Sequence, residues 1–503
     1  MRLLASSLVL LAAGAAGTPV VQAEELPRPM SQPIVNGVLT SGLPSVAGIL
    51  SFNPSTGEPF VSCTGTVIGC RTVLTAAHCF CPQAPCQPDF ADTLVFLQHS
   101  GFYGVESVTI NPSYQFGSRS DLAILRLTPE LNGLAPTRIN TTARPAVGSG
   151  GLIAGFGRTG GSSPWTGIKR AGLVVTSSCP AELAAGNFCW TFLSPVGPPG
   201  EDSSTCQGDS GGPLITDFGG GPRLAGVTSG GVFGDCLVPN GLWDTDVFVD
   251  RQWIQSVAGP DLNNTACGNL PPAGSPEAPI LFGSGELGAG NPDDLYFFDL
   301  AAGTDVLWTT LNGEGPGRGD FDLYLRHGDP PTTAEFDCRS NFLGQFEACG
   351  VASPTPGTWH ALITRSSGAG AYQFTVTNFG GQSTGGPCVQ DTDTLCLLGG
   401  RFRVEVVFRP PGGTTQPATA IPFTDRAGMF WFFNENNVEM LVKMQNACVA
   451  PFNRFWFFFA ATTNVEFTVR VTDTETGQTN PYSNPQGMVA LPVADTQAFA
   501  TCP

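Results

Sequence analysis

Basic residues are scarce. The 503-residue chain has two lysines, Lys169 and Lys443, and carries 23 basic against 41 acidic side chains, a formal charge of −18. Such a polyanion, with no basic run, is repelled by nucleic-acid phosphates and anionic lipid surfaces, so nucleic acid is not an expected partner. The charge reads instead as colloidal solubility. Charged residues of all kinds reach only 13%, too few for coiled coils or long helical bundles, which need Glu and Lys beside Ala and Leu. Histidine is also rare, at four residues, and none clusters with cysteines beyond the pair His78-Cys79. Zinc is therefore disfavoured, and no metal or cofactor is expected. The absence of a Gly-X-Y period excludes collagen. Beyond the N-terminus no run of about 18 uninterrupted apolar residues exists, so no membrane span is expected.

What is plentiful is turn-forming and apolar. Glycine (64) and proline (43) make up about a fifth of the chain, well above ordinary usage. Hydrophobic residues at 41% and aromatics at 10% supply enough to bury a core, which argues against disorder. The length exceeds one core and predicts roughly two to four domains, so the chain reads as a multidomain, turn-rich, all-β protein. Sixteen cysteines are an even count. The N-terminus decides between disulfides and metal sites. Met1-Arg2, the apolar stretch Leu3 to Gly17 and Val21-Gln22-Ala23 fit a signal peptide over 1–23, which predicts an exported, extracellular, disulfide-bonded protein.

A short segment, 24–33, follows with no periodicity and reads as a propeptide. From Ile34 to about Gly259, short runs such as Val46 to Phe52, Val61 to Ile68, Leu122 to Leu127 and Leu224 to Thr228 alternate with Gly, Pro, Ser and Asn clusters, as in a sandwich or barrel. Phe248 to Val257 is the one helical pattern there. Residues 260–279 and 379–387 read as linkers, enclosing 280–378 and leaving 388–503. Such linkers predict independent units with few contacts across the joints. The runs Phe430-Trp431-Phe432-Phe433 and Phe455-Trp456-Phe457-Phe458-Phe459 read as core and strand partners, with a sugar-stacking face as the other reading.

Three motifs carry chemistry, in chain order: Thr75-Ala76-Ala77-His78-Cys79, Asp121-Leu122-Ala123-Ile124-Leu125 and Gly208-Asp209-Ser210-Gly211-Gly212-Pro213. Serine is a weak nucleophile that needs a base, imidazole titrates near neutrality, and glycines leave room for a sharp turn. Together the motifs closely resemble the trypsin/chymotrypsin-like serine peptidase family, from Ile34 to about Gly259. The resemblance implies a two-barrel catalytic domain over 34–259 in which Ser210 attacks, His78 is the base and Asp121 orients it. It implies an oxyanion hole from the N–H groups of Gly208 and Ser210, and support of the aspartate by Ser229. A substrate pocket would be lined by Ser204, Ser229, Gly231 and Gly241. Ser204 stands where trypsin-like members carry an aspartate, which predicts large apolar or aromatic residues before the scissile bond. The new terminus Ile34 would pair with Asp209 on activation. The disulfides implied are Cys63–Cys79, Cys179–Cys189 and Cys206–Cys236. Cys70, Cys81, Cys86 and Cys267 allow three pairings, with a local Cys81–Cys86 bond favoured. The sequence departs from the family pattern at Asn36, at Pro33 (where a basic residue is usual) and at Gly230, where a tryptophan often lies.

Further along, Gly319-Asp320-Phe321-Asp322-Leu323-Tyr324, Phe336-Asp337-Cys338-Arg339-Ser340, Glu347-Ala348-Cys349 and Pro356-Gly357-Thr358-Trp359-His360 resemble the bacterial pre-peptidase C-terminal domain. That likeness implies a β-sandwich over 280–378, often removed on maturation, with a Cys338–Cys349 bond. Asp320 and Asp322 are hard oxygen donors suited to Ca²⁺, but such pairs more often shape turns, so no metal is assigned. Residues 388–503 are similar to a β-rich module that ends exported bacterial proteins. The sequence thus reads as a secreted, monomeric serine endopeptidase with two C-terminal β-sandwiches, acting on protein or peptide substrates. Its rival is a surface adhesin or carbohydrate-binding protein carrying an inactive or accessory peptidase domain. A lipase using the same triad is disfavoured by the motif order.

Overall fold

The computed structural model describes residues 34–502, apart from 83–84, 116, 161–162, 194–198, 220, 233–235, 238–239, 269–278, 301–302, 381–387, 412–415, 451, 477 and 485. The expected signal peptide and the segment 24–33 lie outside the described residues. Strands dominate, and Val247–Ala258 is the one α-helix among the described elements. Its start is capped by Asp246, whose side chain accepts from the Phe248 N–H at 2.9 Å, satisfying a donor with no partner inside the helix.

The first six strands after Leu39 close into a barrel: Val46–Phe52, Pro59–Gly69, Thr72–Thr75, Ala123–Thr128, Gly101–Ile110 and Leu94–Leu97, in that spatial order. Six more form a second ring. Gly150–Gly155 pairs with Arg170–Ser177, which passes through Asn187–Phe192, Asn240–Asp246, Pro222–Gly231 and Pro213–Asp217 back to Gly150–Gly155. Closure removes the exposed edges that would otherwise invite aggregation. Inward residues such as Val73, Val95 and Leu125 fill the first barrel, and Ile153, Trp190 and Leu214 the second. The all-β, two-barrel expectation holds.

Beyond them lie the two expected β-rich modules, which share a sheet. Four strands, Asp293–Leu300, Gly357–Gly368, Gly319–His327 and Cys338–Ser340, form one sheet of the first appended module. The opposing sheet runs through Glu347–Ala352, Thr304–Gly313, Gly370–Gly380 and Leu281–Leu287, then continues without a break into Thr479–Asn484, Glu466–Asp473, Phe402–Arg409 and Thr394–Leu397 of the second. The junction is a parallel pairing at Leu281 and Thr479. A five-stranded sheet covers the far half, burying Phe402, Phe430, Phe457 and Phe467 between the layers. The aromatic runs thus alternate: Phe430, Phe432, Phe455, Phe457 and Phe459 face the core, while Phe433 is exposed. The two modules share one sheet because strand edges left open by each are satisfied by the other.

The expectation of sparse contacts across the first joint is overturned. Phe346 of the appended module is buried in a cluster with Phe96 and Phe156 of the barrels, its ring 5.2 Å edge-on from Phe96. Gln98 donates to Asn312 Oδ1 (3.1 Å) and to Gln373 Oε1 (3.0 Å), all three fully buried. Lys169 is buried beside them, its Nζ donating to the Leu43 carbonyl at 2.7 Å. His99 sits in the same layer, and burial, then the nearby Lys169 charge, lower its pKa to about 4, so it stays neutral near pH 7. In the Gln98–Asn312–Gln373 trio the amide atoms are paired, as burial demands, except Gln98 Oε1, which finds no partner among the described residues. The residues read as a linker from 260 are packed down too. Asp261 accepts from the N–H groups of Cys70 and Arg71 (both 2.9 Å) and from Thr72 Oγ1 (2.6 Å). Cys267 is bonded to Cys70.

Candidate active site

His78 lies in the 3₁₀ turn Ala77–Cys79, just after the barrel strand Thr72–Thr75. Asp121 immediately precedes the strand Ala123–Thr128, which pairs with Thr72–Thr75, so the barrel register brings the two side by side. His78 Nδ1 stands 2.7 Å from Asp121 Oδ2, and the His78 backbone N–H donates to Oδ1 at 2.9 Å. Ser229, reaching across from the second barrel, donates to Oδ2 at 2.7 Å. The carboxylate is buried, at 1% exposure, and these donors compensate the desolvation of its charge. An Nδ1–H donated to Asp121 leaves Nε2 with its lone pair outward, the tautomer that a base requires.

Ser210 arrives from the second barrel on a turn clamped to the first. Its carbonyl accepts from the Thr64 N–H at 2.8 Å, and Thr64 Oγ1 donates to the Gly208 carbonyl at 2.8 Å. Gly211 has φ +83°, and a Cβ there would stand 2.0 Å from Thr75 Oγ1 and 2.8 Å from the Ala76 nitrogen. Only glycine lets the serine turn lie this close to the histidine turn. The Cys79 sulfur is 3.9 Å from the Ser210 carbonyl oxygen, so the two motifs meet at the barrel interface. Among the described residues, neither the Gly208 nor the Ser210 N–H donates to a protein acceptor.

Asp209 points the other way, into the second barrel. It is fully buried and accepts from the Gly157 N–H and the Cys206 N–H, each at 2.8 Å. Burial raises its pKa to about 7 against the opposing pull of those two donors. Side chains at Gly155 or Gly157 would collide with its carboxylate. Ile34 and Val35 are buried in the core of the same barrel, and Val35 exchanges backbone hydrogen bonds with Ser204 (2.8 and 3.1 Å). No ion pair to Asp209 occurs among the described residues.

A sequence model of the family described as Trypsin matches residues 43–254, and one described as Bacterial pre-peptidase C-terminal domain matches 293–365. Trypsin alpha-4 of Lucilia cuprina is 30% identical over 222 residues, 39% of this chain and 78% of that protein. The chain belongs to the trypsin family of serine proteases. It is a serine endopeptidase. Serine protease SP24D of Anopheles gambiae is 33% identical over 180 residues, 34% of this chain and 62% of that protein. A solved structure of neuropsin, a serine protease of mouse brain, aligns at 24% identity and TM-score 0.35 over 44% of this chain and 99% of that one.

Of the residues that the family resemblance assigns to the pocket, Ser229, Gly231 and Gly241 lie on the strands Pro222–Gly231 and Asn240–Asp246, and Ser204 lies apart beside Val35. Ser204 is fully buried against Val35, and Ser229 is committed to Asp121. Gly231 is exposed at the end of its strand opposite Leu242. Gly241 faces Thr191, and a Cβ added to it would meet only Val232, at 3.5 Å. The space beside Gly230 is not open: the Trp243 indole lies 2.5 Å from where a Cβ would stand. Asp202 lies in a left-handed turn with φ 46°, while Asp235 is outside the described residues.

All sixteen cysteines are paired. In the protease domain the bonds are Cys63–Cys79, Cys70–Cys267, Cys81–Cys86, Cys179–Cys189 and Cys206–Cys236. The appended modules carry Cys338–Cys349, Cys388–Cys396 and Cys448–Cys502. Cys63, His78 and Cys79 bring possible metal-ligand atoms within 4.8 Å of one another. The two sulfurs are bonded to each other and have no thiolate to offer a metal. Asp320 is engaged instead by the Gly344 N–H at 2.8 Å, and Asp322 accepts from Ser366 Oγ at 2.9 Å, as turn and strand residues do.

Proposed function

We propose that the protein is a secreted endopeptidase that cleaves peptide bonds through an acyl-enzyme, with Ser210, His78 and Asp121 as its catalytic residues. The observation that carries the reading is the buried Asp121 carboxylate holding His78 at 2.7 Å beside the Ser210 turn. Ser210 Oγ forms a bond to the substrate carbonyl carbon as its proton passes to His78 Nε2. The tetrahedral oxyanion accepts from the unpaired N–H groups of Gly208 and Ser210, each worth about 3–4 kcal/mol to the transition state. Collapse expels the amine, which takes the proton from His78, and water then cleaves the ester by the same route. Eight disulfides with no free thiol support an oxidising, extracellular setting. The oxidised protein should cleave a casein-like substrate, with an organophosphonate stopping the reaction and a metal chelator leaving it unchanged. Inhibition by the chelator alone would reject the mechanism.

The pocket reading favours large apolar or aromatic residues before the scissile bond. Ser204 offers no charge for a lysine or arginine, and the Trp243 indole against Gly230 adds an apolar wall. A peptide library should give cleavage after Phe, Tyr, Leu or Trp, whereas dominance of Arg or Lys would reject this assignment.

Activation by a new terminus at Ile34 is the accompanying proposal. In the uncleaved chain the folded Asp209 pKa of about 7 lies above that of an unfolded aspartate, near 4. The folded state thus holds the proton longer, and stability falls as pH rises from about 4 to about 7. A terminal ammonium reaching Asp209 reverses this by favouring the carboxylate. Asp209→Asn in the uncleaved chain should flatten the decline in melting temperature over that range, and should lower the activity of the mature form. N-terminal sequencing of the active protein should begin at Ile34. A fully active form beginning at Glu24 or Ser31 would reject the switch.

A further inference from the structure

The appended module grips one short segment of the protease domain, Trp165 to Lys169. The Thr166 N–H donates to the Gly315 carbonyl at 3.1 Å, and the Gly315 N–H returns a bond to Thr166 O at 3.0 Å. Asn312 Nδ2 donates to the Gly167 carbonyl at 2.7 Å. Gln373 accepts from the Lys169 N–H at 2.8 Å and donates to its carbonyl at 2.9 Å. The Arg318 guanidinium lies 4.2 Å from the Trp165 ring centroid. Gly167 has φ +121°, and a Cβ there would stand 2.1 Å from the Gly313 carbonyl oxygen. The approach is so close that no other residue fits.

The same segment touches the serine turn on its other side. Thr166 is buried, its hydroxyl donating to the Val61 carbonyl at 2.8 Å. Its methyl closes over Gly208: a Cβ on that glycine would stand 2.9 Å from Thr166 Cγ2. Gly208 has φ +97°, and glycine crosses between backbone wells at little cost, so its N–H direction must be fixed by neighbours. The Arg158 N–H supplies one constraint by donating at 2.8 Å to the Gln207 carbonyl, the other end of that peptide plane. Thr64 Oγ1 holds the Gly208 carbonyl at 2.8 Å, and the Thr166 methyl walls the open side together with the Gly157 Cα, which would stand 2.8 Å from a Cβ on Gly208.

We infer that the appended module braces the oxyanion side of the active site, with Thr166 as the positioning residue that transmits the brace to Gly208. This rests on the reading of Gly208 as an oxyanion donor. The module's backbone at Gly315 and side chains at Asn312 and Gln373 fix Thr166, and Thr166 in turn walls in the peptide that carries the Gly208 N–H. Preorganised donors cost no rearrangement when charge develops, so loosening this wall lowers turnover rather than substrate binding.

The test uses the full-length oxidised protein and three variants. Thr166→Ser removes the methyl and keeps the hydroxyl. Thr166→Val keeps the methyl and removes the hydroxyl, and Asn312→Ser releases the Gly167 carbonyl from the module. Thr166→Ser and Asn312→Ser should lower kcat about ten-fold with KM unchanged. They should weaken a peptidyl trifluoromethyl ketone, which forms an oxyanion on Ser210, by a similar factor, while leaving the affinity for a cleaved product peptide intact. Thr166→Val should lower the melting temperature, and because it keeps the methyl against Gly208 it should lower kcat less than Thr166→Ser does. The inference is overturned if Thr166→Ser retains wild-type kcat and ketone affinity, or if kcat merely follows the melting temperature through all three variants. A wild type that forms no covalent adduct at Ser210 would overturn the triad reading itself, and is seen before any variant is made.

Discussion

Ser210→Ala is expected to reduce kcat for peptide hydrolysis by about 10⁶-fold, His78→Ala by a similar factor, and the double variant by little more. In the proposed mechanism the three groups act as one device. Without Ser210 there is no bond to form to the carbonyl carbon, and without His78 the serine proton has nowhere to go. Asp121 contributes through His78 alone, so its removal costs about 10⁴-fold. The fold should survive, because Ser210 is held by its backbone through Thr64 and His78 is 18% exposed. Circular dichroism and melting temperature close to wild type, with turnover at the residual level, are the expected pair of results. Near wild-type turnover in Ser210→Ala would remove the mechanism.

A chain ending just after Cys267 is expected to fail as a soluble, active enzyme. Such a product would keep the Cys70–Cys267 bond and every catalytic residue. It would also expose Phe96 and Phe156, and would strip Gln98 Nε2 of both its acceptors and the Lys169 N–H of its own. Burial of Phe346 alone accounts for about 2–3 kcal/mol. The polar groups stripped of partners return to water, so each lost bond contributes only about 0.5–1.5 kcal/mol. The newly exposed apolar surface also favours association. Size-exclusion chromatography should show aggregation or poor recovery, where a monomeric truncation with full activity would show that the joint is dispensable.

The sequence and the structure agree where one residue type alone can satisfy the local chemistry. The strand Val46–Phe52 and the helix Val247–Ala258 follow from apolar periodicity and clear end signals, with Asp246 as cap. The His78–Asp121 pair and the Ser210 turn that the structure brings together are legible because each proposed role demands one kind of side chain within a short motif. The joint between modules is not legible. Gln98, Asn312 and Gln373 look like solvent-facing positions of alternating strands, and they are buried only because another module lies over them. Gly133 and Gly167 read as loop glycines, yet Phe379 fills the space beside one and the Gly313 carbonyl approaches the other. Asp261 follows a proline in a linker-like stretch, but its carboxylate gathers the Cys70–Thr72 turn. The Cys70–Cys267 bond depends on that wrap, which spacing along the chain does not encode. Shared sheets and buried polar joints are properties of pairs distant in sequence, and a single strand carries no mark of its partner.

Covalent labelling decides whether Ser210 is a nucleophile activated by His78. The full-length oxidised protein would be treated with a biotinylated organophosphonate at neutral pH, digested and mapped by mass spectrometry. One stoichiometric adduct is expected, on Ser210, formed as activity disappears and absent from His78→Ala. Hydrolysis of peptide substrates that continues with Ser210 unlabelled, or labelling that proceeds unchanged in His78→Ala, would contradict that role.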